Sequence, residues 1–390
     1  RSRLIRECRE LLVLQGANRN AGQAEQELAR SRLDPDILTI GFARRFATYK
    51  RANLLFSEPE RFAKLLASSE YPVQILFAGK SHPHDNPGKE LIKQIVHITR
   101  NPKLQRRIVF IEDYDIDIAR SLLQGVDVWL NTPRRPMEAS GTSGMKAAVN
   151  GAVNVSILDG WWCEGYEPSR GWSIGKGEEY QDAAYQDYIE SHALYNLLEN
   201  EVVPLFYDRP NDNIPSEWVR MMKQSMKMAF THFSSHRMVR EYEERFYIPA
   251  IERGRELFAE NCGEAAGLAA QRERLARHWK HIAIEKPKAH SDLAALQVGD
   301  FFKVSVLVQI GELKPDEVVV ELYFGLLNSL NEISAGQRQQ MLMTEEVGKG
   351  KYLFECRIDC QKTGRYGFTA RVIPNGDEWT QNLPGYMVWA

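Results

Sequence analysis

An α/β domain on a parallel sheet, followed by an all-β sandwich, is the fold this sequence predicts. Three observations predict it. Short β-rich runs, apolar at most positions, recur between residues 37 and 158, with helical patterns between them. Strands apolar on both faces belong to a sheet covered on both sides, and alternation with helices makes it parallel. From about residue 180 to 282 the pattern is helical, and from about 285 to Ala390 it alternates with period two between glycine and proline turns. About a hundred residues of that kind read as a sandwich. The domains are therefore placed at 1–284 and 285–390, and 390 residues, 43% of them hydrophobic, suffice for two or three cores.

Residues 1–35 are amphipathic, charged and helical in pattern. The first strand is Ile37-Leu-Thr-Ile-Gly-Phe42. Val73-Gln-Ile-Leu-Phe-Ala78 follows a helical stretch near Glu58–Ser68, and Arg107-Ile-Val-Phe-Ile-Glu112 follows one near Gly88–Thr99. Val126-Asp-Val-Trp-Leu130 comes after Asp117–Gln124, and Asn154-Val-Ser-Ile-Leu158 after a glycine-rich loop. Phe230–Phe246 and Ile248–Phe258 carry apolar positions at helical spacing. The sandwich strands are Phe301–Ile310, Glu317–Tyr323, Tyr352–Ile358 and Tyr366–Ile373. No internal repeat or low-complexity tract interrupts them.

A net charge of -2 argues against nucleic acid or an anionic membrane as a general partner. The five cysteines are scattered without a CxxC pair, which suggests a reducing, cytoplasmic setting and no zinc site. The longest apolar runs are well short of a membrane span. The opening Arg1-Ser-Arg-Leu-Ile-Arg-Glu has neither an initiator Met nor a signal-peptide core, and reads as a helix cut from a longer chain.

In doubly wound sheets, ligands bind at the carboxyl ends of the strands. Arg44-Arg-Phe-Ala-Thr-Tyr-Lys-Arg51 follows the first strand and sets four cations within eight residues, which converge, with Tyr49 among them, if the segment turns into a helix. Arginine supplies bidentate phosphate contacts and lysine a point charge. Taken alone, the run also reads as a solvated helix start. Glu138-Ala-Ser-Gly-Thr-Ser-Gly-Met-Lys146 is the second signal. Its small residues let backbone N–H groups approach an anion, and a following helix would add its positive end. It equally reads as a plain strand-to-helix turn capped by Ser140 or Thr142. Lys146 enters an apolar segment, where desolvation would lower its pKa and make the amine nucleophilic toward aldehydes, as pyridoxal phosphate requires. A random lysine is more often a solvated surface residue. His82 and His84 read as a polar loop. Asp113, Asp115, Asp159, Trp161 and Trp162 end strands where they suit sugars, the tryptophans equally suiting a core.

Gly41–Arg51, Phe77-Ala-Gly-Lys80, Asp113-Tyr114 with Ala119, and Glu138–Lys146 together resemble the C-terminal half of the glycogen/α-glucan phosphorylases, most closely those of bacteria and archaea. The resemblance runs collinearly from about residue 1 to 255, and the final sandwich resembles an accessory domain of some members. It implies the second domain of a glycosyltransferase-B architecture. It implies that Lys146 carries pyridoxal 5′-phosphate, that Gly141, Thr142 and Ser143 cradle phosphate, and that Arg44 and Tyr114 line the cofactor. Arg45 and Lys50 match positions that hold substrate phosphate and the cofactor's phosphate. Glu138, Ala139, Ser140 and Gly141 match the loop that binds glucosyl hydroxyls. By this resemblance Arg45, Lys50 and Lys146 are the catalytic residues.

The implied reaction is phosphorolysis of an α-1,4-glucan or maltodextrin by inorganic phosphate, giving α-glucose 1-phosphate. Ala47-Thr48 and Ser143-Gly144 depart from the regulated animal enzymes, which have His-Glu and Gly-Asn there. The family's N-terminal domain, half of its cleft, is expected as the missing partner, so this chain alone is expected to be inactive or nearly so. A homo-oligomer is compatible with the sequence. Two rivals stay open: a nucleotide-sugar-dependent glucan synthase of the same fold, and a non-catalytic glucan-binding module using Trp379, Tyr386 and Trp389 of the sandwich.

Overall fold

The computed structural model describes residues 1–390 apart from 211–212, 292, 294–295, 328–332, 334–335 and 362. The chain divides into two compact units, Arg1–Arg245 and Phe246–Ala390.

The first unit is a six-stranded parallel sheet. Its strands are β1 (Leu38–Ala43), β2 (Val73–Ala78), β3 (Ile108–Ile111), β4 (Val128–Asn131), β5 (Val153–Ile157) and β6 (Gly171–Ile174), in the order β3-β2-β1-β4-β5-β6. Every residue of β1 to β5 is buried, as strands sandwiched between helices must be. Two apolar cores result. One packs Leu38, Ile40, Phe42 and Ile75 against Leu194, Leu198 and Trp218, and the other packs Leu76, Val109 and Trp129 against Leu4, Ile5 and Leu122.

Two of the helices between the strands begin at a capping aspartate. Asp85 accepts the Gly88 N–H before helix Asn86–Thr99, and Asp115 accepts those of Asp117 and Ile118 before helix Ile116–Gly125. Asp115, which ends β3's loop, is thus this helix's cap. The strand order reverses between β1 and β4, the two neighbours with opposite windings. That switch point opens a crevice at their carboxyl ends. β6 escapes sequence reading because glycine and serine break up its apolar run, Gly-Trp-Ser-Ile.

The second unit begins with helix Ile248–His278, interrupted by non-helical residues at Ala259, Glu260, Asn261 and Cys262. An antiparallel sheet follows. Its strands are β7 (Ala283–Ile284), β8 (Lys288–Ala289), β9 (Phe301–Gln309), β10 (Val318–Leu326), β11 (Gln337–Gly348), β12 (Lys351–Asp359), β13 (Tyr366–Pro374) and β14 (Val388–Trp389). The early half of β11 pairs with β10 and its later half with β12, so one strand serves both halves of the sheet. Val304, Val306 and Val308 of β9 share a single core with Val320 and Leu322 of β10, Phe354 of β12 and Val372 of β13. Face-to-face burial of both halves gives the sandwich-like packing that period-two alternation predicts. Among the described residues no helix is long and apolar enough to cross a membrane.

Candidate functional site

The loops after β1 and β4 meet across the switch point and are stitched into one body. Arg134 N–H donates to the Tyr49 carbonyl at 2.7 Å, and the Thr132 hydroxyl donates to the carbonyls of Lys50 (3.2 Å) and Arg51 (3.1 Å). Arg51 adds Nε to the Thr132 carbonyl at 3.0 Å and Nη2 to the Pro133 carbonyl at 2.8 Å. Its remaining donors pair with Asp187 and Glu190 on helix Ala183–Leu197. Arg51 therefore does not converge with the other three cations. The short 3-10 turn Thr48–Lys50 and a left-handed Arg51 (φ 47°, ψ 50°) send its side chain to the far side, where it clamps the loop.

The other cations face the crevice. Arg44 is buried and donates Nη2 to both oxygens of Glu138, at 2.9 and 2.8 Å. Its Nη1 contacts Asn131 at the end of β4, whose amide donates to the Ser156 hydroxyl of β5 at 3.1 Å. Lys50, also buried, donates to the same carboxylate at 2.6 Å. Arg45 is exposed. It reaches Tyr49, as does Lys50, whose ammonium lies 4.5 Å from that ring centre. Burial would raise the Tyr49 phenol, yet hydrogen bonding to Lys50 and Arg45 holds it below its ordinary value. The Tyr114 phenol is half-buried; burial raises its pKa while nearby Arg44 opposes. Arg44, Arg45, Tyr49, Lys50, Tyr114 and Glu138 thus come together, though they lie on three separate loops.

Glu138 is positioned by a residue that sequence reasoning took for a sugar ligand. Buried Asp159, after β5, accepts the Glu138 N–H at 2.8 Å through Oδ2 and the Gly160 N–H at 3.0 Å through Oδ1. Trp161 N–H donates to the Ser140 carbonyl at 2.8 Å, so Asp159–Trp161 forms a template for Glu138–Ser140. Trp161 and Trp162 are core, packing on Ala148, Met228 and Ala229. An Asp159→Asn variant keeps one acceptor for two N–H groups, the buried one of Glu138 and the half-buried one of Gly160. It should lose about 1–3 kcal/mol in chemical denaturation, and unchanged stability would deny Asp159 this role.

Gly141 ends the loop in a left-handed turn (φ 88°, ψ 50°) and starts helix Thr142–Val149. The first N–H groups of a helix lack intrahelical acceptors and carry its positive pole. Gly144 is buried there, its α-carbon face against Trp161 and Asn154. Lys146 lies on the outward face of this helix and is exposed, which corrects the expected desolvation. Burial falls on Gly144, Ala147 and Ala148 instead. Ala139 and Thr142 are exposed, and Ser140 and Ser143 half-buried.

These residues fit a phosphorylated aldehyde cofactor by their chemistry. A primary amine stands on a helix whose N-terminus offers free N–H donors, and a cation cluster faces the same crevice. Elsewhere, His84 N–H donates to His82 Nδ1, closing a polar loop. Of the sandwich aromatics, Trp379 and Trp389 are exposed, while Tyr386 stacks on Trp279 at 5.6 Å.

Comparison with known proteins bears on the whole chain. Residues 18–167 match the carbohydrate phosphorylase family, and residues 279–390 match the glycogen phosphorylase C-terminal domain. The chain is 37% identical over 361 residues to a maltodextrin phosphorylase of Thermococcus litoralis, covering 92% of this chain and 42% of that protein. It is 36% identical over 374 residues to a glycogen phosphorylase of Mycobacterium tuberculosis, covering 96% and 43% respectively. A glycogen phosphorylase of Aquifex aeolicus is 48% identical over 215 residues, 55% of this chain and 31% of that protein. The chain spans less than half the length of these curated relatives.

Proposed function

The chain belongs to the carbohydrate phosphorylase family, and from that premise we propose that it supplies the cofactor- and phosphate-binding half of an α-1,4-glucan phosphorylase. The observation that carries this reading is the meeting of Arg44, Lys50 and Glu138 at the switch point, beside the helix that bears Lys146. The parallel unit would be the second domain of a glycosyltransferase-B pair, with the region from 285 onward an accessory module. Turnover belongs to the full-length, cytoplasmic protein, whose N-terminal part supplies the rest of the glucan cleft.

Lys146 would hold pyridoxal phosphate covalently, with Gly141, Thr142 and Ser143 presenting N–H groups and Arg44 and Tyr114 beside it. The cofactor would supply a phosphate group next to the substrate phosphate. Arg45 and Lys50 would hold the substrate phosphate and offset its charge as the glycosidic bond breaks. Glu138, with Ala139, Ser140 and Gly141, would take the glucosyl hydroxyls. In the balanced reaction the C1–oxygen bond of the terminal glucose breaks and a C1–oxygen bond to phosphate forms. The proton gained by the departing glucan hydroxyl comes from phosphate. Preorganised cations make such a step cheap because they need not reorient as charge moves.

The test is cofactor attachment. Purified chain mixed with pyridoxal phosphate and treated with a hydride reductant should gain one covalent pyridoxyl group on Lys146, located by peptide mass. Lys146→Ala should lose that adduct while keeping its fold. Attachment elsewhere, undiminished in the variant, would overturn the assignment and favour a nucleotide-sugar-dependent glucan synthase, which has no use for this lysine.

A further inference from the structure

The charges at the crevice do not balance. Arg44 and Lys50 carry two positive charges, and among the described residues only Glu138 forms an ion pair with them. All three side chains are nearly closed to water, with side-chain exposures of 7%, 9% and 6%. Burying an excess cation is unfavourable unless an anion arrives to compensate it. Arg51 differs, since its single charge meets two carboxylates and two carbonyls. The loop around Glu138 also differs from a fixed core element. Its neighbours Met137 and Ala139 are exposed, while its own N–H is anchored on Asp159. The carboxylate can leave by side-chain rotation without moving its backbone anchor.

We propose that Glu138 is a displaceable internal counter-ion of the phosphate site. The inference rests on the phosphorylase reading and adds a linkage to it. A phosphate dianion held by Arg45 and Lys50 lies against the Glu138 carboxylate that Lys50 shares with Arg44, and the two anions compete for these cations because like charges in a desolvated site repel strongly. For the two buried cations, exchange of Glu138 for the dianion turns one surplus positive charge into neutrality. The freed carboxylate then offers sugar hydroxyls the lone pairs that Arg44 and Lys50 now occupy, three of its roughly four acceptor sites. Phosphate and glucan therefore strengthen each other's binding in the full-length protein, since coupling between sites is reciprocal.

Titration calorimetry of inorganic phosphate into this chain and into Glu138→Gln tests the exchange, with circular dichroism to check folding. The variant should bind phosphate at least about tenfold more tightly than the native chain. Phosphate should also raise the variant's melting temperature more than the native chain's. Equal affinities would overturn the internal counter-ion while leaving the phosphate site intact. Absence of phosphate binding by both chains would overturn the counter-ion and also the phosphate site on which it rests. If Glu138→Gln fails to fold, Glu138→Asp decides. It keeps the charge on a side chain one methylene shorter, which cannot span both cations. It too must bind phosphate more tightly than the native chain, and unchanged affinity overturns the proposal.

Discussion

Arg51→Ala should lower the unfolding free energy of the first unit by about 3–5 kcal/mol, the cost of stranding a buried charge partner. The size follows from what is left behind. Glu190 is 4% exposed and loses its cation, Asp187 loses one of two arginines, and the carbonyls of Thr132 and Pro133 lose their donors. Arg51 also holds a left-handed backbone, a conformation that costs a non-glycine residue roughly 1 kcal/mol or more and that its side-chain contacts stabilise. Arg51→Lys should recover only part, because an ammonium cannot fork to four acceptors in fixed directions. Urea denaturation followed by tryptophan fluorescence reads both variants. A loss below about 1 kcal/mol for the alanine variant would place Arg51 among ordinary surface ion pairs. Full recovery by lysine would show that charge alone, and not the fork, holds the loop.

The strands of the parallel sheet were legible because burial on both faces leaves uninterrupted apolar runs. Val73–Ala78 is read to the residue and β1, β3, β4 and β5 to within one or two, while β6 is missed. The site was legible as loops but not as contacts. Glu138 lies 94 residues from Arg44 and 88 from Lys50, and no local pattern announces that pairing. Arg51 was grouped with its neighbours by spacing, yet a tight turn reverses its direction. Lys146 shows why adjacency misleads on a helix. Residues 144, 147 and 148 share the buried face, whereas Lys146 is roughly 200° of rotation from Gly144 and points outward. Asp159 was noticed as a strand-end acid, but its role as an acceptor of two N–H groups depends on β4 and β5 being neighbours. The helical signal near Phe230–Phe258 is borne out by helices Ser216–His232, Ser235–Tyr242 and Ile248–His278. The break at residues 259–262 within the last is marked in the sequence only by Asn261 and the adjacent Gly263.

Gly79→Ala should be the most damaging single-atom addition near the site. Gly79 follows β2 at φ 148°, where L side chains are strained. An added Cβ would stand 1.9 Å from the Arg44 carbonyl oxygen and 2.7 Å from the Phe46 ring. Arg44 N–H donates to the Ala78 carbonyl at 3.2 Å, and Phe46 N–H to the Lys80 carbonyl at 2.9 Å. These two bonds carry the β1–β2 ladder past the strand ends and set where the Arg44 guanidinium emerges. The variant must break them or shift Arg44, at a cost of about 2–4 kcal/mol in strain and lost packing. Stability and phosphate affinity should therefore fall together. Two obstacles of different kinds allow the cause to be separated. Phe46→Leu removes the ring contact but leaves the carbonyl in place, so Gly79→Ala with Phe46→Leu should stay as weak as Gly79→Ala alone. Rescue by the second substitution would assign the damage to the ring, and would detach Gly79 from the placement of Arg44.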